Sequence, residues 1–241
     1  MSHSTEMKTL ALASGASSVG IADLAPFKRG WKVVPPDLLD SFTSAISVAL
    51  RLDDATIDAI DDGPTVAYAE HYRAINATLD RVTGELAEWI IGKSFRARVI
   101  PASFVANGDE LLGNISHKAV ARMAGIGWQG KSLLIVSPRF GPRIRLSTVL
   151  TDMPLEADGP IKNRCGTCRE CTKACPASAI KDVATVDRYE SRDQALHFEK
   201  CAEKTLEFKA RPGIGARICG VCVKVCPFGR RSRTAVAKRH L

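Results

Sequence analysis

Hydrophobic and polar positions follow two periods along this chain, and each period predicts a type of element. Residues 4–14 read as a helix. Val19-Gly20-Ile21-Ala22 follows as a short strand. Ala45 to Leu50 is apolar at every position except Ser47, the pattern of a strand buried on both faces. Over residues 65–91, Tyr68, Tyr72, Ile75, Leu79, Val82, Leu86 and Trp89 recur every three or four positions, which predicts a long amphipathic helix. Phe95 to Pro101 alternates as a strand, and residues 116–124 read as a helix. Leu133–Val136 and Ile144–Leu150 read as two strands with the turn Pro138-Arg-Phe-Gly141-Pro142 between them. Helices and strands are mixed, so the fold class is α/β or α+β.

The C-terminal third follows a different logic. All eight cysteines lie between Cys165 and Cys226. The first block is Cys165-x2-Cys168-x2-Cys171-x3-Cys175-Pro176, the bacterial ferredoxin run. Three closely spaced thiolates can wrap three irons of one cubane, and the fourth cysteine points away to the other cluster. That fourth cysteine is expected at the start of a helix, with Pro176 in its first turn. The second block is Cys201, then Cys219-x2-Cys222-x3-Cys226-Pro227. The expected ligand sets are Cys165, Cys168, Cys171 and Cys226 for cluster I, and Cys175, Cys201, Cys219 and Cys222 for cluster II. Two zinc sites would also use eight cysteines, but zinc motifs do not require the two Cys-Pro endings. Disulfides are not expected in a chain without a leader.

Charge sharpens this division. Residues 1–160 carry 16 Lys and Arg against 18 Asp and Glu, a net of −2. Residues 161–241 carry 18 against 8, a net of +10. Part of that excess offsets clusters that each carry about −2 when oxidised, counting four thiolates. The rest is concentrated in Arg230, Arg231, Arg233, Lys238 and Arg239, read either as a solvated end or as a surface for an acidic partner. Hydrophobic residues make up 45% and charged residues 25% of the 241, which excludes a disordered or fibrous chain. No apolar run approaches the ~18 residues of a membrane helix, so no membrane association is expected. The N-terminus has no secretory pattern, and the expected location is cytoplasmic.

One segment imitates a phosphate loop. Gly125-Ile-Gly127-Trp128-Gln-Gly130-Lys131-Ser132 satisfies both glycine-rich phosphate-binding patterns. Those patterns need a strand before the loop and a helix after it, so that helix amides face the anion. Here a predicted helix precedes and a predicted strand follows. The segment instead reads as a turn that lets backbone approach a flat ligand, or as a turn that packs Trp128. Lys131 and Arg143 are placed to meet cofactor phosphate or amide groups, with ordinary surface charge as the simpler reading of Arg143.

With these residues in view, the chain resembles the epoxyqueuosine reductase family, itself related to the reductive dehalogenases. Val19–Ala22, the Tyr68-Ala-Glu-His-Tyr72 helix, Ala124 to Lys131, and Leu150-Thr151-Asp152 leading into the cysteines carry the resemblance, over roughly residues 10–228. It implies three parts. Residues 1–160 form a nitroreductase-like, corrinoid-binding α/β domain. Residues 161–228 form a ferredoxin-like module with two [4Fe–4S] clusters, and residues 229–241 form a basic tail. It implies cobalamin as a further cofactor, with Gly125, Gly127, Trp128, Gly130 and Lys131 on the cofactor side. In the family, electrons pass through the clusters to cobalt, and the substrate is an epoxide-bearing modified base of tRNA. The chain resembles a short form without the family's C-terminal helical-repeat domain. The family's aspartate proton donor has no Asp counterpart in Glu110-Leu-Leu-Gly-Asn114.

Reductive cleavage needs a proton beside the electrons. Asp109, Glu110, His117 and Tyr72 are the candidate donors, His117 because its ordinary pKa is about 6.5. The bland reading puts Asp109, Glu110 and His117 on a wet surface and Tyr72 in the core. The expected activity is an iron–sulfur reductase fed by a low-potential ferredoxin or flavodoxin and acting on a small-molecule or protein substrate, with tRNA as a further candidate. The competing reading is a non-catalytic electron carrier or reductive activator of a partner protein.

Overall fold

The computed structural model describes residues 2–108 and 110–230. Asp109 and most of the basic tail therefore lie outside the described residues. The chain divides into two compact units, each drawn from separate stretches of sequence. The first comprises residues 1–50, 75–126 and 145–161; the second comprises 51–74, 127–144 and 162–241.

In the first unit, helix α1 (His3–Ala13) starts where the Ser2 hydroxyl accepts the Thr5 amide, an N-cap that satisfies one orphan donor. It buries Ser4, Met7 and Ala11 at helical spacing. Strands β1 (Ser18–Asp23) and β2 (Ser44–Arg51) pair antiparallel, Ser18 opposite Ala49 and Asp23 opposite Ser44. Every residue of β2 before Arg51 is buried, as its mainly apolar run requires.

Between these strands and the rest of the sheet runs much sequence. Helix α2 (Asp54–Asp58) comes first, then helix α3 (Val66–Gly92). Leu79, Val82, Leu86 and Ile90 of α3 are wholly buried, and they pack with Met7, Ile21, Ile46 and Val149 into the core of the unit. At about 25 cal/mol per Å2, such aliphatic side chains each contribute roughly 1.5–3 kcal/mol. Strand β3 (Ala97–Ile100) and helix α4 (His117–Met123) follow. The Ser116 side chain caps α4 by accepting the Ala119 amide at 3.3 Å.

Two strands of the glycine segment come next, β4 (Trp128–Gln129) and β5 (Ile135–Val136), and then β6 (Ile144–Thr151). The main sheet has the order β1-β2-β6-β3, with β3 antiparallel to β6. The two strands read on either side of Pro138–Pro142 do not pair with each other. β5 pairs with β4, Trp128 opposite Val136, while β6 enters the four-stranded sheet. A tight turn at Gly130–Leu134 brings β4 and β5 together, with the Gly130 amide donating to Leu134 O at 2.8 Å.

The second unit holds the cysteines on short helices: α5 (Glu170–Ala174), α6 (Arg192–Ala195), α7 (Phe198–Lys209) and α8 (Val221–Val225). α5 packs on α8. Its small core consists of Leu133, Ile180, Tyr189, Ala195 and Leu196, with Cys171, Cys175 and Cys222 against it. Arg143, expected at the surface, is fully buried here. It donates to Asp54 Oδ1 at 2.9 Å and Asp58 Oδ1 at 2.7 Å, pinning α2 to the start of β6.

Candidate metal centre

The helices α5 and α8 end in the same way. Cys175 stands at the C-cap of α5 with φ −66 and ψ 113, and Cys226 at that of α8 with φ −63 and ψ 122. Each precedes a proline, whose ring disfavours helical backbone in the residue before it. The chain is thereby turned into an extended conformation at the fourth cysteine of each block. This corrects one expectation: Cys175 closes a helix and does not open one. Gly220, at φ 89, opens α8 against Ile60 and Tyr68, where a side chain would collide.

These turns sort eight free, partly buried thiols into two groups. Cys165, Cys168, Cys171 and Cys226 line one cavity of about 30 Å3, with Gly130, Lys131 and Phe228 among its walls. Cys175, Cys201 and Cys219 line a second, of about 60 Å3, with Ala179, Ile180 and Leu196. Cys222 borders both.

The electrostatic neighbours give the same partition. Burial pushes the Cys171 thiol up, and Cys165 and Cys168 push it further. Burial takes Cys226 to about 11, with Cys165 and Cys171 as its charged neighbours. Cys219 is pushed to about 11 by burial, then by Cys201 and Cys175. Cys222 is raised most, first by burial and then chiefly by Cys219 and Cys201. One cysteine of each block thus crosses to the other group.

Four partly buried thiols around one cavity need a cationic core to hold them together as thiolates. Among the described residues, no three His, Cys, Asp or Glu side chains converge closely enough to chelate one ion. The sulfurs surround a volume and not a point, as four ligands of a cubane must. The donor set therefore fits two [4Fe–4S] clusters.

The glycine segment supports the first cavity. Gly127 backs onto the Val136 carbonyl where β4 and β5 pair, too close for a side chain. A Cβ at Gly130 would lie 2.8 Å from Val136 Cγ2 and 3.6 Å from Cys165 Sγ. Trp128, 1% exposed, donates its indole N–H to Cys165 Sγ at 3.4 Å and meets Phe228 edge-on, with ring centroids 4.8 Å apart. The Lys131 ammonium donates to Cys168 O at 3.0 Å and to Asp182 Oδ1 at 2.9 Å. The Asp182 carboxyl is held below the usual carboxylate range, chiefly by its hydrogen bond from Lys131. Gly125 closes α4 in the left-handed region at φ 69. The order of helix α4 first, strands β4 and β5 after, is the reverse of a phosphate loop, as the sequence indicates.

Periodicity did not reveal several other supporting residues. Asn163 accepts the Cys165 amide at 2.8 Å and donates to Gln129 O at 2.9 Å. Gln129 in turn accepts the Tyr189 amide at 3.1 Å. Asn163 sits two positions before Cys165, a spacing at which a side-chain amide commonly closes a turn. Asp182 and Tyr189 lie far along the chain from their partners and carry no such signal.

The described candidate proton donors are divided between the two units. In the first unit, Glu110 pairs with Lys32 at 2.5 Å and accepts from Asn107. His117 has both ring nitrogens engaged: Nδ1 lies 2.8 Å from Thr148 Oγ1 and Nε2 lies 3.2 Å from Pro101 O. A carbonyl can only accept, so Nε2 carries the proton and the Thr148 hydroxyl donates to Nδ1. Burial lowers the ring's pKa to about 4, leaving it neutral at pH 7. Tyr72 is half-buried on α3, in the stretch counted with the second unit. No described hydrogen bond joins Glu110 to His117.

With this geometry established, residues 164–229 match the family described as a 4Fe-4S double cluster binding domain. An epoxyqueuosine reductase of Gloeobacter violaceus is 30% identical over 197 residues, covering 81% of this chain and 59% of the relative. One from Synechococcus is 29% identical over 235 residues, covering 94% and 68%. Among solved structures, a catabolic reductive dehalogenase in complex with 3-bromo-4-hydroxybenzoic acid superposes with a TM-score of 0.72 at 21% identity, covering 93% of this chain and 31% of its own. An epoxyqueuosine reductase crystallised with an epoxyqueuosine-modified tRNA-Tyr stem loop gives 0.63 at 22% identity, covering 94% and 65%.

The fold and the crossed thiols thus define a double-cluster iron–sulfur protein with an α/β unit. Among such proteins, the chain is similar to the epoxyqueuosine reductases of Gloeobacter and Synechococcus, at 30% and 29% identity. It spans 59% of the Gloeobacter protein and 31% of a relative from Listeria monocytogenes.

Proposed function

We propose that this chain is an iron–sulfur oxidoreductase that passes electrons one at a time through two [4Fe–4S] clusters to a bound corrinoid or directly to a substrate. The observation that carries this reading is the crossed arrangement of eight thiols around two adjoining cavities. When bound, the clusters supply low-potential one-electron transfer. The chain's own residues hold them, shield them from water and bring them side by side through Cys222, which borders both cavities. Its eight free cysteines suit a reducing cytoplasm, where thiols are not lost to disulfides.

The substrate class follows the relatives: an epoxide-bearing modified base of tRNA. The solved relative bound to a modified stem loop supports that class, as does the +10 excess on residues 161–241. A solved reductive dehalogenase, whose structure suggests a mechanism for B12-dependent dehalogenation, supports the corrinoid. The electron donor is a ferredoxin or flavodoxin type of protein. Tyr72, Glu110 and Asp109 remain the donor candidates. His117, neutral at pH 7 and bonded at both nitrogens, serves to position β6 against the loop at Pro101.

The carrier reading draws on the ion pair that occupies Glu110 and on the neutral His117. One experiment separates the two readings. The protein is purified and reconstituted without oxygen, then titrated with cobalamin. A shift of the cobalt spectrum to the base-off form, followed by reduction to cobalt(I) through the clusters, supports the reductase. No spectral change at high micromolar cobalamin, with both clusters intact, supports the carrier.

A further inference from the structure

The two cavities are not equivalent in the groups that face their sulfurs. Reducing a cubane adds negative charge that spreads onto its thiolate ligands. Donors and cations aimed at those sulfurs therefore stabilise the reduced form and raise its potential. At the first cavity, the Trp128 indole N–H points at Cys165 Sγ from a ring that is 1% exposed, where water cannot screen it. Lys131, 5% exposed, holds its ammonium on Cys168 O. Its charge is shared with Asp182, whose other partner, Arg169 at 2.7 Å, is 61% exposed and screened, so Lys131 adds a small positive contribution.

The second cavity receives less. The Ala179 amide donates to Cys175 Sγ at 3.3 Å. Its lining is apolar at Ala179, Ile180 and Leu196. Lys204 reaches its wall but pairs with Glu207 at 2.5 Å.

We propose that Trp128, assisted by Lys131, makes the cluster held by Cys165, Cys168, Cys171 and Cys226 the higher-potential of the two. An electron from a low-potential one-electron donor then passes from the Cys175, Cys201, Cys219 and Cys222 cluster, which is oxidised, to the Trp128 cluster, which is reduced. Trp128 is a positioning residue for this transfer: it touches the ligand sulfur and sets where the electron rests. The inference rests on the double-cluster reading above and adds a direction to it.

The test uses the full chain, reconstituted without oxygen, with tryptophan labelled by 15N in the indole ring. Dithionite brings it to one electron per chain. Pulsed EPR of that half-reduced protein is expected to show a 15N coupling that disappears in Trp128→Phe, because the electron resides beside Trp128. In a potentiometric titration, Trp128→Phe is expected to lower the higher potential, shifting the electron partition about tenfold, or about 59 mV for one electron. Lys131→Met should shift it in the same direction, and Lys131→Arg should restore it. A half-reduced wild type without 15N coupling overturns the inference, whether or not the variants fold. So does a Trp128→Phe protein in which neither potential moves or only the lower one does. A wild type holding fewer than two clusters by iron analysis overturns the double-cluster reading itself, which distinguishes the two failures.

Discussion

His117, half-buried, and Arg143, fully buried, show how a single polar side chain reports on its surroundings. His117 has a folded pKa of about 4 against about 6.5 when unfolded, so the unfolded chain binds the extra proton between those values. Stability from this ring is fully present above pH 6.5 and is lost as pH falls from 6.5 towards 4, with a slope of up to about 1.4 kcal/mol per pH unit. Denaturant melts of wild type and His117→Gln between pH 7 and 4 should diverge at pH 7 and converge at pH 4; parallel curves would contradict the assignment. Arg143 has no exposed surface, holds two carboxylates and leaves its Nε without a partner. Arg143→Met should cost about 3 kcal/mol, because it strands Asp54 and Asp58 beside a buried position. Neither environment was legible in the sequence. A charged residue in a polar turn and a histidine at a helix start look the same whether they end in water or under a sheet. The cysteines were legible because their spacing is itself the geometry of a cluster.

At the level of elements, the helices and longer strands follow from periodicity. α1, α3 and α4 fall where apolar residues recur at helical spacing, and β2 where they run nearly unbroken. β5 lies inside the strand read at Leu133–Val136, but β4 has two residues, too few for any period to declare it, and their pairing depends on the turn at Gly130. Two glycine substitutions test this part of the account independently. A side chain at Gly20 would press on the Ala124 carbonyl at the end of α4, and one at Gly127 would press on the Val136 carbonyl. Each alanine variant should lose roughly 1–3 kcal/mol by overpacking. Gly20→Ala should lower the melting transition of the first unit and leave the iron content unchanged. Gly127→Ala should disturb β4, move Trp128 from Cys165 and change the visible spectrum of the clusters. An unaltered spectrum in Gly127→Ala would separate the glycine turn from the cluster.

At the scale of the whole molecule, sulfur and positive charge share one region because the clusters and their handling both require it. The +10 excess over residues 161–241 exceeds what two clusters of about −2 neutralise, leaving net positive charge. Retention of tRNA on the reconstituted protein should therefore fall steeply with salt; retention indifferent to salt would set that partner aside. The sequence-based division at residue 160 describes where the cysteines begin. The compact units also gather residues 51–74 and 127–144 with the cysteines, a long-range grouping that local pattern does not encode. The central claim is that each cluster draws its fourth thiolate from the opposite cysteine block. Iron and sulfide analysis of the anaerobic wild type, with Cys175→Ser and Cys226→Ser in parallel, tests it most directly. The account predicts about eight irons and eight sulfides per wild-type chain, with Cys226→Ser impairing the cluster of Cys165, Cys168 and Cys171, and Cys175→Ser the cluster of Cys219 and Cys222. Two zinc ions per chain, or a variant that impairs the cluster of its own block, would contradict it.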